Sequence, residues 1–406
     1  MLCEQDVASS TCIYEPILEL ERDLISTDDH YRYVEYLQGQ NFAPDWEIVY
    51  DAVRFQTWIA NNGSRLKDLC RNSEVPSWPS IVSRLEEDIK KFEPTTRFEI
   101  PTTRSIFQPI FDSVKQAADE MGLKPIRTVE LVTSTDISPT PAALPTTGQH
   151  LLFIGPGTSS FCNYWAKAIT AVVTAIPRAH GFKRIAGTDD VRKVLRYDPR
   201  GIALAGRLAL YYATHGTTLG FGEVLSTPNL AYRVQLLDAM ETFAIAHEYS
   251  HFVAEERFPS SESGLHLDQS RELESFCDAM GVGISRDCAN RNENFLSFAG
   301  IGGLAFLWAA QLCQTVRELL HDSLLKGSDS IRRSGQQSTH PALSERILAV
   351  KTMTVERTAA DQREWVRQFI EEYDRILETI GNTVIEAVDS AVKAIQTVGE
   401  SGRISH

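Results

Sequence analysis

His247, Glu248 and His251 stand in the order H-E-x-x-H, a spacing that brings two imidazoles and a carboxylate to one place when the chain around them is helical. On a helix, residues i and i+4 point the same way, so both rings can hold one ion while Glu248 waits beside them as a base for water. Catalytic zinc takes three protein groups and leaves one position open, so a third ligand is required. Glu274 and Asp278, four residues apart, suit a second helix on which Glu274 meets the metal and Asp278 accepts the ring N–H of a ligand histidine. Glu255, His266, Glu272, Cys277 and Asp278 itself compete for the third position. Glu255 sits a further turn along the first helix and would reach past the ion, and Glu272 falls on the far side of its helix from Glu274.

The elements that must position these groups are legible from periodicity. Leu236, Met240, Phe243 and Ala244 recur at helical spacing within the apolar stretch Val234 to Arg257, and Pro259 and Gly264 mark its stop. Ahead of it, Arg127 to Thr133 and His150 to Ile154 read as strands, with the Pro-rich loop Ser138 to Gly148 between them. A small sheet there offers an edge to an extended substrate. Gly155-Pro156-Gly157-Thr158 lacks both a third glycine and the Gly-Lys-Ser/Thr of a phosphate loop, which excludes a nucleotide site.

Upstream, Ile81, Leu85, Ile89 and Phe92 make an apolar stripe between Pro79 and Pro94. A Thr- and Pro-rich connection, Pro94 to Arg104, then leads to a helix around Ile110, Val114 and Met121 that Gly122 ends. Residues 1–122 therefore read as a helical N-terminal domain, for substrate capture or for a regulatory partner. Downstream, one amphipathic helix carries Trp365, Phe369, Tyr373, Ile376 and Ile380 and closes at Gly381. Another carries Ile385, Val388, Val392 and Ile395, so residues 357–406 read as C-terminal helices packed on the body. The polar stretch Ser328 to Thr339 reads as a mobile loop over the site.

Three ordered blocks resemble the HtpX-like and CAAX-prenyl-protease group of gluzincin metallopeptidases. They are His247 to His251, Ser270 to Gly281 (S-R-x-x-E-x-x-A-D-x-x-G in type) and Ser338 to Ile347 (S-T-H-P leading to R-I). The resemblance implies that His247, His251 and Glu274 are zinc ligands, Glu248 the general base, Asp278 the partner of a ligand histidine and His340 the stabiliser of an oxyanion. Cys277 stands where that group usually has Ala. Residues 252–273 leave no room for the hydrophobic hairpin of its membrane members, so a soluble relative is the closer match.

Composition bounds the rest. A chain of 406 residues with 43% hydrophobic content can bury a large core, and its net charge of −14 argues against nucleic acid and anionic membrane as partners. The 7 cysteines are odd in number and follow no paired framework, which points to reduced thiols and a cytoplasmic setting; no signal-like segment opens the chain. Phe295 to Cys313, broken only by Ser297 and Gln311, is near the length of a membrane span. A span there would put His340 across the bilayer from His247, so the three blocks require a buried core helix instead. The expectation is an α+β, mainly helical chain with a zincin-like metallopeptidase domain and small sheet over 123–356. It would act as a soluble, one-zinc endopeptidase on proteins or peptides. A zinc-dependent amide hydrolase of small molecules and a catalytically inactive helical interaction protein are the alternatives.

Overall fold

The H-E-x-x-H stretch lies in a helix, and that helix runs through the middle of the molecule. The chain, seen in a computed structural model, is described over residues 99–133, 137–144, 148–176, 187–222, 229–258, 267–324 and 341–403, with scattered residues before 97. It is mainly helical with one small sheet. In order come α1 (Pro101–Glu120), β1 (Val129–Thr133), β2 (Ala142–Leu144), β3 (His150–Ile154), α2 (Pro156–Val173), α3 (Thr188–Tyr197), α4 (Arg200–His215) and α5 (Leu230–Val253). A 3₁₀ turn, Ala254–Glu256, extends α5 before α6 (Leu267–Asn292), α7 (Phe295–Phe298), α8 (Ile301–Leu324), α9 (Leu343–Glu356) and α10 (Ala360–Arg403).

The side chain of Asn229 caps α5 by accepting the Tyr232 N–H at 3.0 Å. Residues 239–247 are buried on every side, so the centre of α5 is a core helix rather than one with a single apolar stripe. Two cores meet on it. One holds Phe243 with Phe161 and Trp165 of α2 and with Phe306 and Trp308 of α8. The other holds Tyr249 and Phe252 with Phe107 and Phe111 of α1 and with the sheet residues Leu131 and Leu152.

The helix assigned from sequence to residues before 122 thus shares a core with the metal helix. It starts at Pro101, inside the stretch read as a connection, because proline costs a first turn no hydrogen bond. Gly122, at φ +74°, ends it as expected: its N–H reaches Asp119 O and the Leu123 N–H reaches Ala118 O, the paired bonds of a left-handed helix stop. Of the stripe between Pro79 and Pro94, Ser83, Glu87 and Lys91 are helical, while Ile81, Leu85, Ile89 and Phe92 lie outside the described residues.

In the sheet, β3 lies between β1, its parallel neighbour, and β2, its antiparallel one. β2 falls in the Pro-rich stretch read as a loop. Three residues are too few for a periodic signal, and pairing across to Leu151 and Phe153 makes it a strand. Gly157, in the sequence that tempts a nucleotide reading, sits under residues 137 and 138: a Cβ there would meet Ile137 O at 2.1 Å. Backbone carbonyls therefore cover the start of α2.

The apolar run Phe295 to Cys313 is not one helix. Gly300, at φ +68°, turns the chain between α7 and α8, and a Cβ there would strike Thr354 Oγ1 at 2.3 Å. Among the described residues, no helix is long and apolar enough to cross a membrane. The two C-terminal helices of the sequence reading are one, α10. Its buried face, including Tyr373, Ile376, Leu377, Ile380, Val384 and Val388, keeps helical period through Gly381, so tertiary burial outweighs a glycine cost of about 1 kcal/mol.

Close approach of α8 to α5 rests on Gly302, where a Cβ would meet Ala239 O at 2.1 Å and Ala239 C at 2.4 Å. Gly302→Ala is expected to destabilise the protein by about 1–3 kcal/mol or more. Gly206→Ala on α4, with nothing within 4 Å of the new methyl, should instead stabilise it by about 0.5–1 kcal/mol. Urea unfolding of both variants checks this pair of opposite signs.

Candidate metal centre

Three carboxylates from two helices surround the imidazole pair. His247 and His251 stand one turn apart on α5 with ring centroids separated by 5.2 Å. Ligand atoms of His247, Glu248 and His251 all fall within 4.8 Å of one another, a group close enough to bind a metal ion. From α6, Glu274 spans the pair: Oε2 lies 3.4 Å from His247 Nε2 and Oε1 lies 3.7 Å from His251 Nε2. A tetrahedral ion with bonds of about 2.0–2.2 Å sets its donors roughly 3.3–3.6 Å apart, so the first separation falls within that range and the second just above it.

The reason α6 comes so near is Gly281. A Cβ there would stand 3.2 Å from His247 N and 3.3 Å from its Cα, tighter than ordinary contact, so a side chain at this level would oblige the two backbones to give slightly. The glycine closing the second sequence block is therefore a packing residue. Two turns before it, Glu274 faces the rings, and one turn before it Asp278 places Oδ1 at 3.0 Å from His247 Nδ1. That contact orients the ring so that Nε2 is the nitrogen turned to Glu274. Glu272 is exposed, as its helical phase requires.

Arg346 of α9 completes the centre, and no role was assigned to it from sequence although it closes the third block. Its Nε and one Nη each donate to Asp278 at 2.8 Å, a two-pronged grip on a carboxylate that is 1% exposed. The same Nη lies 3.5 Å from Glu274 Oε2. Burial would raise the Asp278 carboxyl, but the hydrogen bonds from Arg346 and the nearby His247 outweigh it and hold Asp278 below the usual carboxylate range. Nothing local in the sequence signals this role, because an arginine is ordinarily exposed and only the fold shows that this one is buried and paired.

Glu248 lies between the imidazole pair and the sheet, and its Oε2 accepts the Ala143 N–H of β2 at 3.2 Å. Burial pushes its carboxyl up to about 7, against the pull of His247. Glu255 is turned aside: its carboxylate meets His150 of β3 at 2.9 Å and Arg127 at 3.2 Å, which takes it out of contention as a ligand. Cys277 is wholly buried next to these acids, and burial first, then their charge, pushes its thiol upward. Cys162, Cys277, Cys288 and Cys313 are all free and buried. His266, His340 and the stretch Ser328 to Thr339 lie outside the described residues. A cavity of about 660 Å³ opens on the centre, edged by Ala142 and Ala143 of β2 and by Leu343 and Arg346 of α9.

No protein-family model, curated protein or solved structure matches this chain, so the centre is read from its own residues.

Burial works against an imidazolium at His247, but Asp278 and Glu274 outweigh it and push the ring up to about 10 when no metal is bound. An ion binding at pH 7 must displace that proton. Metal affinity is therefore expected to rise with pH, about tenfold per unit up to the ring's pKa, with release of roughly one proton. Calorimetric titration in buffers of different ionisation enthalpy counts the proton, and uptake without release contradicts the assignment. Asp278→Asn should weaken metal binding about 10–100-fold. Arg346→Ala, which strips a buried carboxylate of its cation, should cost about 3–5 kcal/mol of stability in urea.

Proposed function

We propose that this chain is a zinc-dependent peptidase of the zincin type, in which His247, His251 and Glu274 hold one zinc ion and Glu248 is the general base. The observation that carries the reading is the reach of Glu274 across both imidazoles at 3.4 and 3.7 Å. Two neutral nitrogens and one carboxylate oxygen form a donor set that suits zinc, and three protein ligands leave a position free for chemistry. Zinc held there supplies a Lewis acid that lowers the pKa of water and polarises a carbonyl.

The residues of the chain do the rest. Glu248, with its carboxyl raised toward neutrality, takes a proton from the attacking water and returns it to the leaving amine. The hydrogen bond it accepts from the Ala143 N–H fixes the carboxylate between the imidazole pair and the strand edge. Asp278 holds the His247 ring and Arg346 holds Asp278, so the ligand stays oriented while the ion and substrate exchange. β2 pairs with β3 on one side only, so its other edge runs beside the site and gives an extended peptide a strand to lie along. Such an edge favours a peptide over a compact small molecule. The described part of the third block, from Pro341 onward, reaches the cavity through Leu343 and Arg346.

The test pairs elemental analysis with Glu248→Gln. Both wild type and variant are expected to carry about one zinc per chain, and the variant should cleave an unstructured protein about 10²–10⁴-fold more slowly. Zinc without proteolysis by the wild type would point to amide hydrolysis of a small molecule. A metal-free wild type that takes up no zinc would return the chain to a binding role.

A further inference from the structure

One flank of the cavity is apolar and rigid, and nothing in the proposed hydrolytic step uses it. Phe243 stands one turn before His247 on α5, with its ring centroid 6.2 Å from that imidazole. It is pinned from behind by Gly303 of α8, where a Cβ would come within 2.8 Å of the Phe243 ring. Phe306 lies 6.4 Å from Phe243, centroid to centroid, and is itself braced edge-on by Phe161 at 5.5 Å. Leu307 and Ala310 from the same side of α8, and Leu343 from α9, complete the flank.

We propose that this flank is a specificity subsite which takes a bulky apolar side chain, such as Phe, Leu or Met, at a residue directly adjoining the bond that is cut. The inference rests on the peptidase reading and adds the substrate class. Adjacency follows from Phe243: a wall one helical turn from a ligand imidazole is within reach of the residue next to the reacting carbonyl, and of no residue far from it. Polarity follows from the lining. The ionisable groups that line the cavity are already engaged: Arg346 with Asp278, Glu255 with Arg127 and His150, and Glu274 with the two imidazoles. A charged side chain entering beside Phe243 and Phe306 would lose water and gain no partner. Size is governed by Ala310, the small member of the α8 wall, whose methyl leaves the depth that Phe306 and Leu307 line.

The experiment is a peptide-library digest by the zinc-loaded full chain, wild type and Ala310→Phe, with Ala310→Val as the milder filling variant. The wild type is expected to favour Phe, Leu or Met over Gly and Asp about 10–200-fold at one position adjoining the cleaved bond. Filling the subsite should move that preference toward Gly and Ala at the same position, more in Ala310→Phe than in Ala310→Val. Cleavage by the wild type with no apolar preference on either side of the bond overturns the inference and leaves the peptidase reading intact. So does a preference that both folded variants keep unchanged. Failure of the zinc-loaded wild type to cut any peptide overturns both readings. The wild-type digest decides the preference by itself if neither variant folds.

Discussion

The approach of α6 to α5 at Gly281 is the constraint on which the rest of the molecule turns. Backbone atoms of His247 stand 3.2–3.3 Å from where a Cβ would be, so the absence of a side chain at Gly281 lets the helices pack this closely at the level of the site. With that spacing, Glu274 and Asp278, one turn apart on α6, address opposite nitrogens of one imidazole. Moving α6 out by the width of a methyl would lengthen both contacts together, because both acids ride on the same rigid element.

Such proximity concentrates charge where water is scarce. Glu248, Glu274 and Asp278 crowd around two imidazoles, and Asp278 is almost completely removed from solvent. Buried carboxylates are costly unless paired, since desolvation in a low-dielectric interior exceeds what a single hydrogen bond returns. Arg346 is the answer to that cost, and it explains why a third helix, α9, must reach the centre. The turn at Gly300 and the glycine seams of α8 bring α9 there, because α8 carries the chain across the back of α5 and Gly300 packs directly on Thr354 of α9. Apolar packing on one face of α5 thus serves electrostatics on the other.

The sheet has a related part. β3 is anchored by His150, whose ring stacks on Phe252 at 4.9 Å and whose Nε2 meets Glu255 just past the metal helix. β2 hangs on β3, and its outward N–H at Ala143 donates to Glu248. Strand edge, Glu248 and the imidazole pair are therefore linked through the two ends of one helical segment, residues 247–255. The cavity inherits two characters from this arrangement: polar groups engaged with each other at the centre, and aromatic and aliphatic walls contributed by α5 and α8.

Much of this was legible in the chain itself, and the reason is that short-range geometry obeys local rules. The spacing of His247, Glu248 and His251 puts them on one helical face wherever they sit, and the same rule sends Glu272 away when Glu274 and Asp278 turn inward. Strands β1 and β3, the stop at Gly122 and the mainly helical character follow from periodicity and turn chemistry in the same way. What tertiary structure alone decided depends on residues far apart in sequence. β2 exists because β3 pairs with it, and α10 runs through Gly381 because its buried face outweighs a local penalty. Phe295 to Cys313 bends at Gly300 into a core rather than forming one long apolar helix. Above all, the role of Arg346 has no local signature: an arginine in an amphipathic helix looks like surface until a buried carboxylate on another helix claims it.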